Sequence, residues 1–444
     1  MAPLALVNGK IVTVDERFSV ASAVALDGDR ITAAGTSEEI LAHAGPGAEV
    51  VDLGGRTVIP GLIDNHNHVV RATSHCEVRL EGVRSRDAAL AALRAGAAEL
   101  PPGQWLLTLG GWHEEQWAGD RRELTRGELD AVAGDRPAFI QAQYDHAVAN
   151  TAWLDAAGVS AVGLSAAGVS AADESRATGR ISGGLVALNR AAASFPPPAD
   201  REAAARRVLS WYNSLGLTTV FDPGGVGVAE SSYDTIRDLA ARGELTLRVL
   251  TTLGDSAGGR GAAHAAAFAE QIKQARPFTG DLACDRIAVG EIYYAAFHWD
   301  HAASPPRPTE ADITAAQVIL DAAAGAGWPV QTHSVTPEGL DLVFDAYERA
   351  NRQRPIRLLR WSVTHAEGLT AAHVERARRL GALRPGLLAD LLILDRDYLT
   401  VPADEIKDIT PLVTMVGGRV VHGSLTSLVR EAQGEGSAFS PLQS

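Results

Sequence analysis

The chain has 13 histidines, and four of them recur at one kind of place. His66 and His68 follow the run "VIPGLIDN", His333 closes "GWPVQTH", and His365 closes "LRWSVTH". Each run has the apolar, β-branched composition of a buried strand. Residues two apart in a strand face the same side. The rings of His66 and His68 can therefore converge, which suits a divalent metal, for which neutral imidazole is a common ligand. A single such pair is also compatible with two surface histidines on a loop. Four imidazoles at equivalent strand ends fit a metal site better than a set of structural histidines. An ion there would polarise a carbonyl and lower the pKa of bound water toward about 7.

The elements that must position these residues follow from the patterning. "LTTVFDPGG" (217–225), "LTLRVLTTL" (245–253), "DRIAVGEIYY" (285–294), "GWPVQTHS" (327–334) and "LRWSVTHAEG" (359–368) read as strands. Helical stretches such as "REAAARRVLSWYNSLG" and "TEADITAAQVILDAAAGAG" separate them. This alternation implies an α/β protein with a parallel sheet and helices outside. No Gly-rich phosphate fingerprint follows a strand, which argues against a nucleotide fold. In a parallel barrel every strand ends on the same face, so the four imidazoles would meet at one mouth. The first strand, apolar up to the histidine pair, is expected to be fully buried.

Residues 1–57 and 384–430 read instead as short alternating β runs broken by Gly and Asp turns, able to pair into one small β-sandwich. The barrel is expected over 58–383, with an insertion at about 71–200 capping its mouth. Residues 431–444 read as a flexible tail.

Bulk properties narrow the classes. The 444 residues, 46% hydrophobic and 21% charged, allow one large domain and a smaller one. The formal net charge of −14 argues against nucleic acid and against a basic membrane-binding patch. Two cysteines, Cys76 and Cys284, make no disulfide framework and fit a reducing cytoplasm. Cys76 reads as a buried thiol rather than a ligand. "MAPLALVNGKIVTVD" reads as strand, turn and strand, not as a signal peptide or membrane span.

Taken together, "PGLIDNHNH", "GGWHEEQW", "YDHAVANTAWLDAAGV", "TGRISGGL", "QTHSVT", "RWSVTHAEGLT" and the C-terminal "RPGLLADLLILDRDYLTVPADEIKDITPLVTMVGGRVV" resemble the amidohydrolase superfamily, specifically amidohydrolase family 3, the N-substituted formamide deformylase-like enzymes. The resemblance covers nearly the whole chain. It implies a TIM-like (β/α) barrel, a β-sandwich built from both termini, and metal-dependent hydrolysis of a C–N bond other than a peptide bond. By position it makes His66, His68, His333 and His365 ligands of one or two divalent ions, with zinc expected.

Two departures stand out. Relatives often bridge two metals with a carboxylated lysine on the fourth strand. Here lysine occurs only at Lys10, Lys273 and Lys407, none on that strand. Glu291, near its end, is the substitute bridging ligand and, with His365, the expected catalytic group. The alternative for Glu291 is a structural acid. The second departure is the step from one helix after His365 directly into the C-terminal β run. Two strand–helix units, on the order of 100 residues, and the aspartate that relatives carry on the eighth strand are missing. The barrel is thus expected to be incomplete, with open edges that invite self-association.

For the substrate, Trp112, His113, Trp117, Tyr144 and His146 in the insertion suit a pocket, though each tryptophan suits cap packing as well. The resemblance places His146 facing the metal site. His298, with Trp299, Asp300 and His301, forms a loop that lines the mouth or a solvated turn. The expected partner is a small-molecule substrate, with no nucleic acid and no membrane, in a chain that can form a homo-oligomer. The alternative function is a catalytically impaired deletion variant acting as a ligand-binding or assembly protein.

Overall fold

The computed structural model describes residues 2–15, 17–73, 77–143, 146–156, 177–182, 188, 195–198, 200–225, 228, 230–255, 259–281, 283–294, 296–298, 307–380, 391–394, 410–416 and 419–423. Expectations for Tyr144, Cys76, Trp299, Asp300, His301, the step after residue 380 and the tail 431–444 fall outside these residues.

The two ends of the chain meet in one sheet. Strands Arg419–Gly423, Pro411–Val416, Leu391–Leu394, Thr57–Pro60, Lys10–Val12 and Val20–Ala21 lie side by side in that order. A second sheet runs Arg30–Gly35, Ala23–Asp27, Leu4–Val7, Glu49–Asp52. Alternation along these strands explains how they pack. Leu6, Val24, Leu26 and Val51 of the second sheet join Ile11, Val58 and Val413 of the first in one core. The intervening Ala5, Val7, Ala23 and Ala25 face the other way, against Ile40 of the helix Ser37–Ala44. A reciprocal capping box between Thr36 and Glu39 starts that helix. Thr57–Pro60 pairs with both Lys10–Val12 and Leu391–Leu394. The expected boundary at 57/58 therefore lies inside a strand, and the chain leaves the sheet at Gly61. A Cβ there would run into the Thr218 side chain, a close approach that glycine permits.

Past Gly61 the barrel strands begin. Leu62–Asp64, Leu217–Asp222, Arg248–Leu253 and Cys284–Val289 run parallel in sequence order. A parallel bridge from Val289 to Val330 carries the order on to the parallel pair Gln331–Ser334 and Ser362–His365. Helices Arg201–Ser214, Asp234–Ala241, Ala262–Gln274, Glu310–Ala326, Pro337–Gln353 and Ala371–Leu380 alternate with them. The largest core lies between the later strands and these helices, around Trp328, Tyr293, Tyr294, Ile319 and Leu320. Each fully buried large side chain there contributes about 1.5–3 kcal/mol relative to exposure.

The first barrel strand differs from expectation. Ile63 is 66% exposed and Leu62 44%, so the strand is not fully buried. Among the described residues it pairs with Leu217–Asp222 and has no strand on its other side. The sixth strand, Ser362–His365, is likewise paired on one side. A parallel strand reads as apolar throughout because both its faces and both its neighbours are covered, and that condition fails at an edge.

The segment after the first strand forms its own layer. Leu106–Leu109, Ala138–Ala142, His146–Ala149 and Arg180–Ser182 make a four-stranded sheet. Helices Arg86–Glu99 and Arg126–Ala133 cover it with Leu93, Leu129, Trp112 and Trp117 in the shared core. No helix among the described residues is long and apolar enough to cross a membrane.

Candidate metal centre

Glu291 sits two residues past the fourth barrel strand, at the centre of the four histidines. Its Oε2 lies 3.5 Å from His66 Nε2, 3.4 Å from His333 Nδ1 and 3.4 Å from His365 Nε2. Its Oε1 lies 3.7 Å from His68 Nε2. The carboxylate is thus shared by two sets of convergent donors, His66–His68–Glu291 and Glu291–His333–His365, each within 4.8 Å. The arrangement brings together every metal ligand expected from the sequence.

How His66 and His68 reach this point differs from the strand argument. The strand ends at Asp64, and both histidines lie in the turn beyond it. Asp64 shapes that turn by accepting the His66 N–H at 3.1 Å and an Asn67 side-chain N–H at 2.8 Å. Asn67 N–H donates to the Phe221 carbonyl at 2.9 Å. His333 stays within its strand, and its N–H donates to the Glu291 carbonyl at 3.1 Å. His365 ends its strand at φ 68°, a left-handed conformation that non-glycine residues adopt at some energetic cost.

The remaining ring nitrogens are oriented by neighbours. His68 Nδ1 donates to the Gly224 carbonyl at 3.0 Å, which turns Nε2 toward Glu291. His66 Nδ1 meets Thr364 Oγ1 at 3.0 Å, which also ties the first strand's turn to the sixth strand. Metal-binding histidines are typically held this way, by a hydrogen bond on the nitrogen away from the ion.

These residues fit a divalent ion. His66 Nε2 and Glu291 Oε2 are buried and make no hydrogen bond, a costly state for polar atoms without a further partner. Donor separations of 3.4–3.7 Å are near the roughly 3.3 Å edge of a tetrahedron with 2.0–2.1 Å bonds. Burial, reinforced by the neighbouring imidazoles and opposed by Glu291, pulls the His66 pKa down to about 4. It is therefore neutral and ready to ligate at pH 7. Burial opposes the Glu291 anion, but the surrounding imidazoles, His333 and His365 foremost, outweigh it and hold the carboxyl well below the usual range.

The expected substrate residues are placed elsewhere. Trp112 is buried in the inserted layer, stacked on Trp117 with ring centres 5.3 Å apart, and its Nε1–H donates to Thr108 Oγ1 at 3.3 Å. It packs the layer rather than lining a pocket. His113 accepts the Glu115 N–H at 3.2 Å and so caps the short helix Glu114–Gln116. His146, buried, pairs with Glu114 at 3.1 Å and is not among the donors that converge on Glu291. His298 is buried too, with Nδ1 at 3.1 Å from the His333 carbonyl and Nε2 accepting the Tyr293 N–H at 3.3 Å. Backbone groups occupy both of its ring nitrogens, so it props His333 and does not line the mouth. Sequence reasoning passed over Asp222 and Thr364. Asp222 had a signal: it ends the second barrel strand, as His365 ends the sixth and His66, His68 and His333 lie at or just beyond the ends of the first and fifth.

The amidohydrolase family 3 profile, described as the amidohydrolase family, matches residues 49–383 and 377–422. The N-substituted formamide deformylase of Arthrobacter pascens is 37% identical over 162 residues, 36% of this chain and 30% of that protein. An imidazolonepropionase of Hyphomonas neptunium is 47% identical over 57 residues, 12% of this chain and 14% of that protein. The matched part thus spans about a third or less of these curated relatives. An uncharacterized metal-dependent hydrolase of Pyrococcus furiosus superposes with a TM-score of 0.57 at 21% identity, over 85% of this chain and 75% of that one, a likeness of fold. With its profile matched over most of its length and its histidines gathered at the strand ends, the chain belongs to the amidohydrolase family.

Proposed function

We propose that the chain is a metal-dependent hydrolase of a non-peptide C–N bond, such as an amide or N-substituted formamide. The observation that carries this is the Glu291 carboxylate shared between two pairs of imidazoles. The similarity to a formamide deformylase supports the bond class. His66, His68 and Glu291 would hold one ion, and His333 and His365 with Glu291 a second, with zinc the expected metal for this imidazole-rich set. When bound, a divalent ion supplies a Lewis acid for the substrate carbonyl and acidifies water. The chain's own part is to present imidazole nitrogens, that of His66 held neutral, and one anionic carboxylate, and to move a proton. With a single ion on His66, His68 and Glu291, His365, whose Nε2 lies 3.4 Å from Glu291 Oε2 and whose side chain is 32% exposed, would be the proton-transfer group. It would take the proton lost by the attacking water and pass it to the departing amine.

The test is metal content together with turnover of a panel of formamides and N-acyl amines in added zinc. Wild-type protein should retain at least one equivalent, and His333→Ala should lose both metal and turnover. Intact metal content and turnover in His333→Ala would overturn the assignment. A second reading, a ligand-binding or self-associating protein without turnover, is favoured by the exposed Leu62 and Ile63 on the first strand. It predicts metal uptake with no hydrolysis across the panel.

A further inference from the structure

The second barrel strand ends on an acid that none of the chemistry above uses. Asp222 is fully buried. Its Oδ2 accepts the Val70 N–H at 2.9 Å. Its Oδ1 accepts the Gly224 N–H at 2.8 Å and the Tyr233 hydroxyl at 3.1 Å. The three donors come from three pieces of chain. Val70 lies in the helical turn that begins directly after His68, Gly224 lies in the Asp222–Gly225 turn, and Tyr233 precedes the helix Asp234–Ala241.

That same turn holds two members of the metal cluster. The Gly224 carbonyl receives the His68 Nδ1–H at 3.0 Å. The Pro223 carbonyl receives the Glu291 N–H at 2.7 Å. Gly224 and Gly225 have φ of 85° and 114°, a conformation glycine enters freely and also leaves freely. A peptide flanked by two such residues has little of its own to fix the direction of its carbonyl. The Asp222 carboxylate restrains this region from two sides: Oδ1 holds the Gly224 N–H, and with it the Pro223–Gly224 peptide whose carbonyl receives the Glu291 N–H, while Oδ2 holds the Val70 N–H two residues after His68 and so ties the His68 segment to the turn.

We infer that Asp222 is a positioning residue that fixes His68 as the Nδ1–H tautomer and sets the placement of Glu291, by orienting the Pro223 carbonyl and clamping the segment after His68 to the turn whose Gly224 carbonyl receives the His68 Nδ1–H. An imidazole offers Nε2 as a ligand only when its proton resides on Nδ1. Asp222 thus decides which nitrogen of His68 faces the cluster without touching the cluster itself. Asp222→Asn keeps the size but turns one acceptor into an N–H that opposes one of the three donors. Tyr233→Phe removes a single donor and leaves the packing.

That Nε2 serves a metal rests on the function proposed above; the tautomer does not. The experiment therefore has a metal-free arm. Nitrogen-labelled histidine is followed by long-range nitrogen–proton NMR at about pH 8, where imidazole is neutral, with His68 assigned from the signals lost in His68→Gln. Wild type should show the Nδ1–H form. Asp222→Asn should shift His68 toward a mixture of tautomers while the far-ultraviolet dichroism is retained. In the second arm, cobalt titration of the same proteins should show about 10–100-fold weaker binding in Asp222→Asn and a displaced visible band. A folded Asp222→Asn with the wild-type His68 tautomer overturns the inference. Should Asp222→Asn not fold, Tyr233→Phe decides: a smaller shift in the same direction supports the inference, and wild-type signals overturn it. A wild-type protein that takes up no cobalt would defeat the metal reading and leave the tautomer result to stand alone.

Discussion

Among the described residues, two clusters of histidine and glutamate behave as opposites. At the barrel mouth, four imidazoles surround Glu291 at 3.4–3.7 Å, beyond hydrogen-bond contact. In the inserted layer, His146 meets Glu114 at 3.1 Å, with Glu123 at 3.8 Å. The two clusters share their residue types and differ in saturation. The first leaves His66 Nε2 and Glu291 Oε2 buried without a hydrogen bond, as the proposed metal site requires. The second satisfies its donors internally, which describes a structural pair. Their electrostatics differ in the same sense. Burial wins at His66 and lowers its pKa. At His146 burial also opposes the charge, but the hydrogen bond and field of Glu114 win and raise it.

The largest test of this contrast is Glu291→Gln. Loss of an outer partner of a metal ligand costs about 10–100-fold in affinity, and loss of a direct, shared ligand should cost more than about 100-fold. Metal content after dialysis should fall to background. Glu114→Gln should leave it at the wild-type level, and if it does not, the two clusters are not independent.

The second test reverses the roles. Removing one partner of a buried pair leaves the other uncompensated, at about 3–5 kcal/mol. Glu114→Gln and His146→Ala should lower the stability of the metal-free protein by that order in denaturant titration. Equal stability of the Glu114→Gln variant and wild type would mean that the pair is not ionised.

The four strand-end histidines and Glu291 were legible because barrel topology sends all strand ends to one face. What the sequence did not reveal was which contacts were already saturated. "GGWHEEQW" shows two aromatics and a histidine beside acids, and nothing in it indicates that Trp112 stacks on Trp117 or that Glu114 pairs with a strand about thirty residues on. "LTTVFDPGG" shows an ordinary turn, yet its Asp222 is bonded to Val70, 152 residues away in sequence. The exposure of Ile63 was hidden for a related reason. Its apolar neighbours describe a covered strand, and coverage depends on a partner strand that local patterning cannot count. Convergence could be read because it follows from topology. Saturation could not, because it depends on partners distant in the chain.

A pH series sharpens the contrast with a smaller effect. His146 has a folded pKa above its ordinary 6.5. Its contribution to stability is therefore full below about 6.5 and disappears as pH rises through the raised value. Glu114 is shifted below its ordinary 4.5, with the His146 hydrogen bond outweighing burial. Its contribution is present above about 4.5 and is lost as pH falls through the lowered value. The stability gap between wild type and His146→Gln should be widest between about 4.5 and 6.5 and narrow toward pH 9. His66, neutral down to about 4, should bring no proton competition to metal uptake across that range.

The smallest expected effect concerns His113, which lies beside the structural pair and belongs to neither behaviour. Its Nδ1 is 3.6 Å from Glu114 Oε2, and its side chain is 31% exposed. It accepts the Glu115 N–H at the start of Glu114–Gln116, and its ring meets that of His146 edge-on at 6.3 Å. Losing a side-chain cap costs about 0.5–2 kcal/mol, and the low end applies to so short a helix with a solvated donor. His113→Ala should therefore lower stability by about 0.5 kcal/mol, leave metal content unchanged and leave the pH profile of the His146 pair in place. A loss as large as that of Glu114→Gln would make His113 a third member of the pair. A loss of turnover with stability intact would return it to the substrate role that its neighbourhood in the sequence suggests.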